Sequence, residues 1–152
     1  LNEQPKQTAL LTGAAISLFG AVIHWISPLL GPDWYAWLRA PKFVVESARA
    51  GTWLAPTCAA LIGGLMFICA LYAWSGMGRM ARLPLPRTAL VVIAAVGLLR
   101  GLALLPYAWN VPQLLDTFDV VGSLVWFVAG LGFAVGARQN WAGPARPARQ
   151  AT

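Results

Sequence analysis

Acidic side chains are scarce in this chain, histidine is nearly absent and cysteine is sparse: Asp and Glu together number 5, His 1 and Cys 2 among 152 residues. Each shortage removes a class of chemistry. A lone histidine leaves no attractive Ser-His-Asp relay, and no Cys/His spacing suggests a zinc site. Cys58 and Cys69 fall on one apolar run, about 16 Å apart by helical rise, too far to bridge to each other. They read as small apolar filling. No glycine-rich phosphate loop is present, and outside "DTFD" (residues 116–119) there is no paired-acid arrangement. An enzyme is therefore not the expected reading.

What the chain has instead is apolar length. Hydrophobic residues make up 59% of it and charged residues only 11%, against about 25% charged in a soluble domain. Crossing a bilayer as a helix takes about 20 mostly apolar residues, and four stretches meet that: 8–30, 53–75, 88–109 and 115–137. A β-barrel would alternate polar and apolar residues, and these runs do not. The expectation is an all-α integral membrane protein with four transmembrane helices in one bundle over residues 1–138. The Pro/Ala/Arg-rich segment 139–152 is expected to be a disordered cytoplasmic tail. The first run is longer than a secretory h-region and lacks a small-residue cleavage pattern, so it reads as a retained membrane helix.

The net charge of +6 does not point to nucleic acid, because the basic residues form no stripe. They sort by loop. Arg79, Arg82 and Arg87 flank the connection between the second and third runs, and Arg138, Arg146 and Arg149 follow the fourth. The positive-inside rule then puts both termini in the cytoplasm, with a bacterial inner membrane as the expected location and membrane lipids as the first partners. Arg39, Lys42 and Arg49 in the first loop vote the other way. Asp33, Glu46, Asp116 and Asp119 all fall on the outer side. Trp25, Trp34, Trp37, Trp53 and Trp109 map to the outer boundary and Tyr72, Trp74 and Trp141 to the inner one, as interfacial aromatics do.

Between the first two runs lies "GPDWYAWLRAPKFVVESARAG" (residues 31–51). Trp34, Trp37 and Leu38 have the spacing of one helical face, with Pro41 ending the turn, so the stretch reads as a short amphipathic segment in the outer interface. A lid over the outer mouth is the alternative. "WYAWLRAPKF" resembles the first loop of the TspO/translocator-protein family at Trp34, Tyr35, Leu38, Pro41 and Phe43. That resemblance implies binding of tetrapyrroles or sterol-like ligands. The paired prolines that follow in that family are replaced here by Val44, Val45 and Glu46, its Trp/Asn-rich later helices are missing, and its members have one span more. As a whole the chain resembles small four-helix bacterial inner-membrane proteins of unassigned function, through "WYAW", "WSG" and "LLRG" (residues 34–37, 74–76 and 98–101). This second resemblance implies a fold and no chemistry.

Arg100 is the sharpest polar feature. It interrupts "VVIAAVGLLRGLALLP" where an arginine costs about 2.5–3.5 kcal/mol to insert, so it is expected either to pair or meet a ligand in the interior, or to snorkel to the outer headgroups. Asp116 and Asp119 have the spacing of an N-cap and its N3 residue, and Asp119 is also the better partner for Arg100. His24 and Arg100 fall about 22 and 18 Å from the inner ends of their helices by rise, near the depth of Asp119. Arg100, Asp119 and His24, with Trp34 and Trp37 above them, are therefore the candidate polar cluster. As alternatives, His24 is a simple hydrogen-bonded residue or a tetrapyrrole axial ligand. On the fourth run, Gly122, Ala129 and Gly136 lie beside Ser123, Gly130 and Ala137, and Gly132 with Gly136 forms a GxxxG. Such small residues permit close packing in lipid, within the chain or against another membrane subunit or a second copy. Two functions follow as expectations: a non-enzymatic accessory subunit of a membrane complex using that stripe, or a binder or transporter of a small amphipathic ligand at the polar site. The sequence names no cofactor.

Overall fold

The computed structural model describes residues 4–141, and these are all-α, with no strand among the described residues. The helices are α1 (Gln4–Leu30), α2 (Pro32–Trp37), α3 (Lys42–Arg49), α4 (Leu54–Gly76), α5 (Pro86–Leu102), α6 (Leu104–Asn110) and α7 (Thr117–Trp141), with a 3₁₀ turn at Pro112–Leu114. Four helical stretches are long and apolar enough to cross a membrane: Gln7–Leu30, Leu54–Gly76, Pro86–Asn110 and Thr117–Gln139. Their outward faces carry bulky apolar side chains, among them Phe19 and Leu99, each 68% exposed. A soluble surface does not present apolar area on this scale, and the chain has the make-up of a multi-pass membrane protein.

Two boundaries differ from the sequence expectation. The third span is not one helix: it breaks at Ala103 into α5 and α6. Pro106 has no N–H to give the Leu102 carbonyl and its ring crowds that carbonyl, so the turn before it opens. The fourth helix continues to Trp141, so residues 139–141 of the expected tail are helical. The remainder of that tail lies outside the described residues.

The chain divides into two compact units, residues 14–71 and residues 4–13 with 72–141. In the first, α1 and α4 pack through small residues. A Cβ on Gly63 would fall 2.5 Å from the Trp25 ring and 3.1 Å from the Ala21 carbonyl oxygen, and one on Gly20 would strike Met66. Trp25 lies 5.6 Å from Phe67, ring centre to ring centre, and its indole N–H points at the Ala60 carbonyl 3.4 Å away.

The first loop belongs to this unit and is a folded element of its own. The α2 turn ends before Pro41, and Pro41 is in addition the N-cap of a further helix, α3; Arg39 at φ 59° makes the bend between the two. Tyr35, Val44 and Val45 bury against Ala55 and Ala59 of α4. Thus the buried aromatic is Tyr35, while Trp34 and Trp37 stack on each other at 4.8 Å with Trp37 54% exposed. The second amphipathic helix, α3, holds Ser47 inward, where its hydroxyl accepts the Ala55 N–H at 3.0 Å and meets Thr52 Oγ1 at 2.5 Å. Ser47 therefore caps α4 from outside that helix, satisfying a donor that the first turn leaves open.

In the second unit α5 and α7 form the most extensive packing. Gly97 and Gly101 on α5 make a GxxxG. A Cβ on Gly97 would lie 3.0 Å from Gly130 Cα, and one on Gly101 would lie 2.6 Å from Phe127 Cβ. The backbones therefore meet directly, as small residues allow in lipid. On the other side of α7, Gly132 approaches the Ala9 carbonyl oxygen and Gly136 approaches Leu10 of α1. The connection into α5 is pinned by Ser75, whose hydroxyl accepts the Leu83 N–H at 3.1 Å, and by the Tyr72 hydroxyl donating to the Pro84 carbonyl at 3.1 Å.

Candidate ligand-binding cleft

A cleft of about 430 Å³ lies between the end of α5, α6 and the start of α7. Its walls are Arg100, Ala103, Leu104, Tyr107, Leu115, Asp119 and Ser123. The lining combines polar side chains with apolar ones, and the volume is that of a small-molecule site, typically about 300–1,000 Å³.

Arg100 and Asp119 line the same cleft, yet Arg100 forms no ion pair among the described residues. Helical geometry accounts for this. Side chains lean toward their own helix N-terminus, so on antiparallel α5 and α7 the two groups diverge. Asp119 is engaged elsewhere: its Oδ2 accepts the Asp116 N–H at 3.3 Å, while Asp116 Oδ1 accepts the Asp119 N–H at 3.0 Å. This reciprocal pair is a capping box built from two aspartates. The cleft thus presents a guanidinium whose nearest carboxylate side chain is already committed to the backbone. Arg100 stays charged under all physiological conditions, so what the cleft offers a ligand is a fixed cation beside an apolar wall.

The other candidate residues lie elsewhere in the chain. His24 belongs to the unit of residues 14–71, where Nδ1 is 2.7 Å from the Gly20 carbonyl oxygen. A carbonyl only accepts, so Nδ1 carries the proton and a neutral ring keeps its lone pair on Nε2. Trp34 and Trp37 belong to the same unit as His24. Among the described residues no group of three His, Cys, Asp or Glu side chains is arranged to hold a metal ion. Of the helix-four stripe, Ala129, Gly132 and Gly136 are buried in the chain's own packing, while Gly122 has open space before it.

Two cleft residues escape the sequence reading. Ser123 is one turn beyond Asp119, on the same face, and was legible from that spacing; in the stripe it looks like a packing residue. Tyr107 is two turns beyond Arg100, and Arg100, Ala103, Leu104 and Tyr107 have the i, i+3, i+4, i+7 spacing of one helical face. Comparison of the chain with known protein families, characterised proteins and solved structures finds no match.

Proposed function

We propose that this is a multi-pass protein of the bacterial inner membrane, with both termini cytoplasmic, that binds a small amphipathic anion in the outer leaflet. The observation that carries the reading is Arg100: a permanent cation, about 15 Å by helical rise from the outer end of its span, lining a cleft without an ion-pair partner among the described residues. Leaving such a charge uncompensated in hydrocarbon is costly. A carboxylate or phosphate group compensates it, and Ala103, Leu104 and Leu115 supply the apolar wall for the rest of the ligand. Ser123 and Tyr107 offer hydroxyls to orient the head group.

The alternative, an accessory subunit docking through helix four, has lost most of the surface that suggested it, because Ala129, Gly132 and Gly136 pack inside the chain. One experiment separates the two. Purification in mild detergent, followed by native mass spectrometry, should find a small anionic amphipath on the wild type and none on Arg100→Gln. A stoichiometric protein partner with no small anion would favour the accessory role.

A further inference from the structure

A second groove lies at the other end of the α5–α7 pair and is independent of the Arg100 cleft. It measures about 690 Å³ and is lined by Val91, Ala94, Ala95, Leu98, Ala134 and Ala137, with Arg138 as the charged member. The alanines make the groove, since their short side chains leave a trough between the two helices. From Val91 to Leu98 it runs about 10 Å along α5 by helical rise.

We infer that this groove holds an acyl chain of an anionic phospholipid, whose head group sits on Arg138. Charge fixes the class of occupant. Arg138 is exposed at the end of α7 and makes no ion pair among the described residues. Arg79 and Arg82 belong to the connection that leads into α5 at this same end, and Arg87 to the first turn of α5. The segments 72–115 and 120–138 of this unit carry arginines and no acidic residue, so the side chains around the groove bring positive charge and no carboxylate. A free phosphate would meet the arginine but leave the trough unfilled. A zwitterionic lipid would fill the trough but bring its own ammonium to a cationic rim. An anionic lipid satisfies both, as basic pockets between membrane helices do on the cytoplasmic side.

The test is native mass spectrometry of the full chain in detergent, with phosphatidylglycerol and phosphatidylethanolamine of matched chains added in competition. We expect the wild type to retain phosphatidylglycerol about fivefold better, the discrimination of roughly one arginine near a head group. In the Arg100→Gln background, which disables the other cleft, Arg138→Gln should bring that ratio to about one. Ala95→Leu, at an exposed position in the trough, should lower occupancy by both lipids, with helix content by circular dichroism as the check on folding. Glycerol phosphate in excess should not compete. Equal retention of the two lipids by the wild type, a preference that survives Arg138→Gln in that background, or displacement by glycerol phosphate would each overturn the assignment. A preference lost with Arg100→Gln instead would overturn it too, and would place anionic lipid in the other cleft.

Discussion

Asp116 and Asp119 cap α7 for each other, each side chain accepting the other's backbone N–H, at 3.0 and 3.3 Å. The pair satisfies two donors that a helix start leaves open, and places negative charge at the positive end of the helix dipole. It also explains why a cleft containing both an arginine and an aspartate holds no salt bridge between them. The carboxylate is occupied with its own helix, and the guanidinium is left for something else.

We expect Asp116→Ala to cost about 1 kcal/mol of stability, the usual worth of a lost N-cap. Asp119→Ala should cost less, and the double variant less than the sum, because the two bonds depend on one geometry. Thermal unfolding in detergent, followed by circular dichroism, measures all three. Strict additivity would mean that the two carboxylates act separately.

For Arg100 the expectation follows from its lack of an ion pair. Without ligand, Arg100→Leu should leave stability unchanged or raised, since removing an uncompensated charge from an apolar span relieves its desolvation. Arg100→Leu and Asp119→Leu should then add to within about 0.5 kcal/mol. With a bound anionic amphipath, only the chain that retains Arg100 should gain in melting temperature. A large coupling in the absence of ligand would show a direct Arg100–Asp119 pair.

The α5–α7 contact predicts a contrast among glycines on one helix. A Cβ on Gly130 would lie 2.6 Å from Leu98 N, and one on Gly132 would lie 2.5 Å from the Ala9 carbonyl oxygen. In both cases the obstacle is backbone, which cannot swing aside. Gly130→Ala and Gly132→Ala should each destabilise by about 1–3 kcal/mol. Gly122→Ala, facing open space, should change stability by no more than about 0.5 kcal/mol. Equal tolerance at all three positions would refute the close packing.

The four spans were legible because hydropathy over a whole helix is a sum, insensitive to where a turn begins. Arg100 was legible for the same reason, as a single outlier in an apolar run, and so was the Asp116–Asp119 cap, as a local pattern. The break at Ala103 depends on one residue, Pro106, acting on a carbonyl four residues back; its proline was in view, but the apolar run around it looked continuous. The helix-four stripe was visible as small residues, yet periodicity cannot say which neighbour uses them. The α5 glycines that meet α7 were visible only at Gly101, beside the arginine. The first loop was least legible. Its order comes from Tyr35 burying against α4 and from Ser47 reaching the Ala55 N–H, and such tertiary partners leave no mark at fixed spacing.

Orientation can be tested at positions that the fold leaves accessible. Ser47 is unsuitable, being 7% exposed and hydrogen-bonded to the start of α4. Ala50 and Ala81 are exposed at the two opposite connections. With Cys58 and Cys69 replaced by alanine, Ala50→Cys should react with an impermeant maleimide added outside intact cells. Ala81→Cys should react only after permeabilisation. The reverse pattern would invert the topology and move the Arg100 cleft to the cytoplasmic leaflet.

Tyr35 gives the last expectation, because its ring is buried at 5% exposure while its hydroxyl has no hydrogen-bond partner. A polar group sealed without a partner costs about 1–3 kcal/mol, and replacing it with an apolar group of the same shape removes that cost. Tyr35→Phe should therefore raise stability, by about 1 kcal/mol. The same burial pushes the phenol above its ordinary value, with the neighbouring Cys58 thiol adding in the same direction. The sign follows from proton binding. Near pH 10 and above, the unfolded chain releases this proton while the folded chain still holds it. The contribution is thus fully present below about pH 10 and is lost as pH rises through the folded value. Denaturation of wild type and Tyr35→Phe across the alkaline range isolates it, since the other titrating groups cancel in the difference. The wild type should lose stability more steeply than the variant. Parallel curves, with no gain from the substitution at neutral pH, would mean that the hydroxyl has a partner after all, such as a bound water.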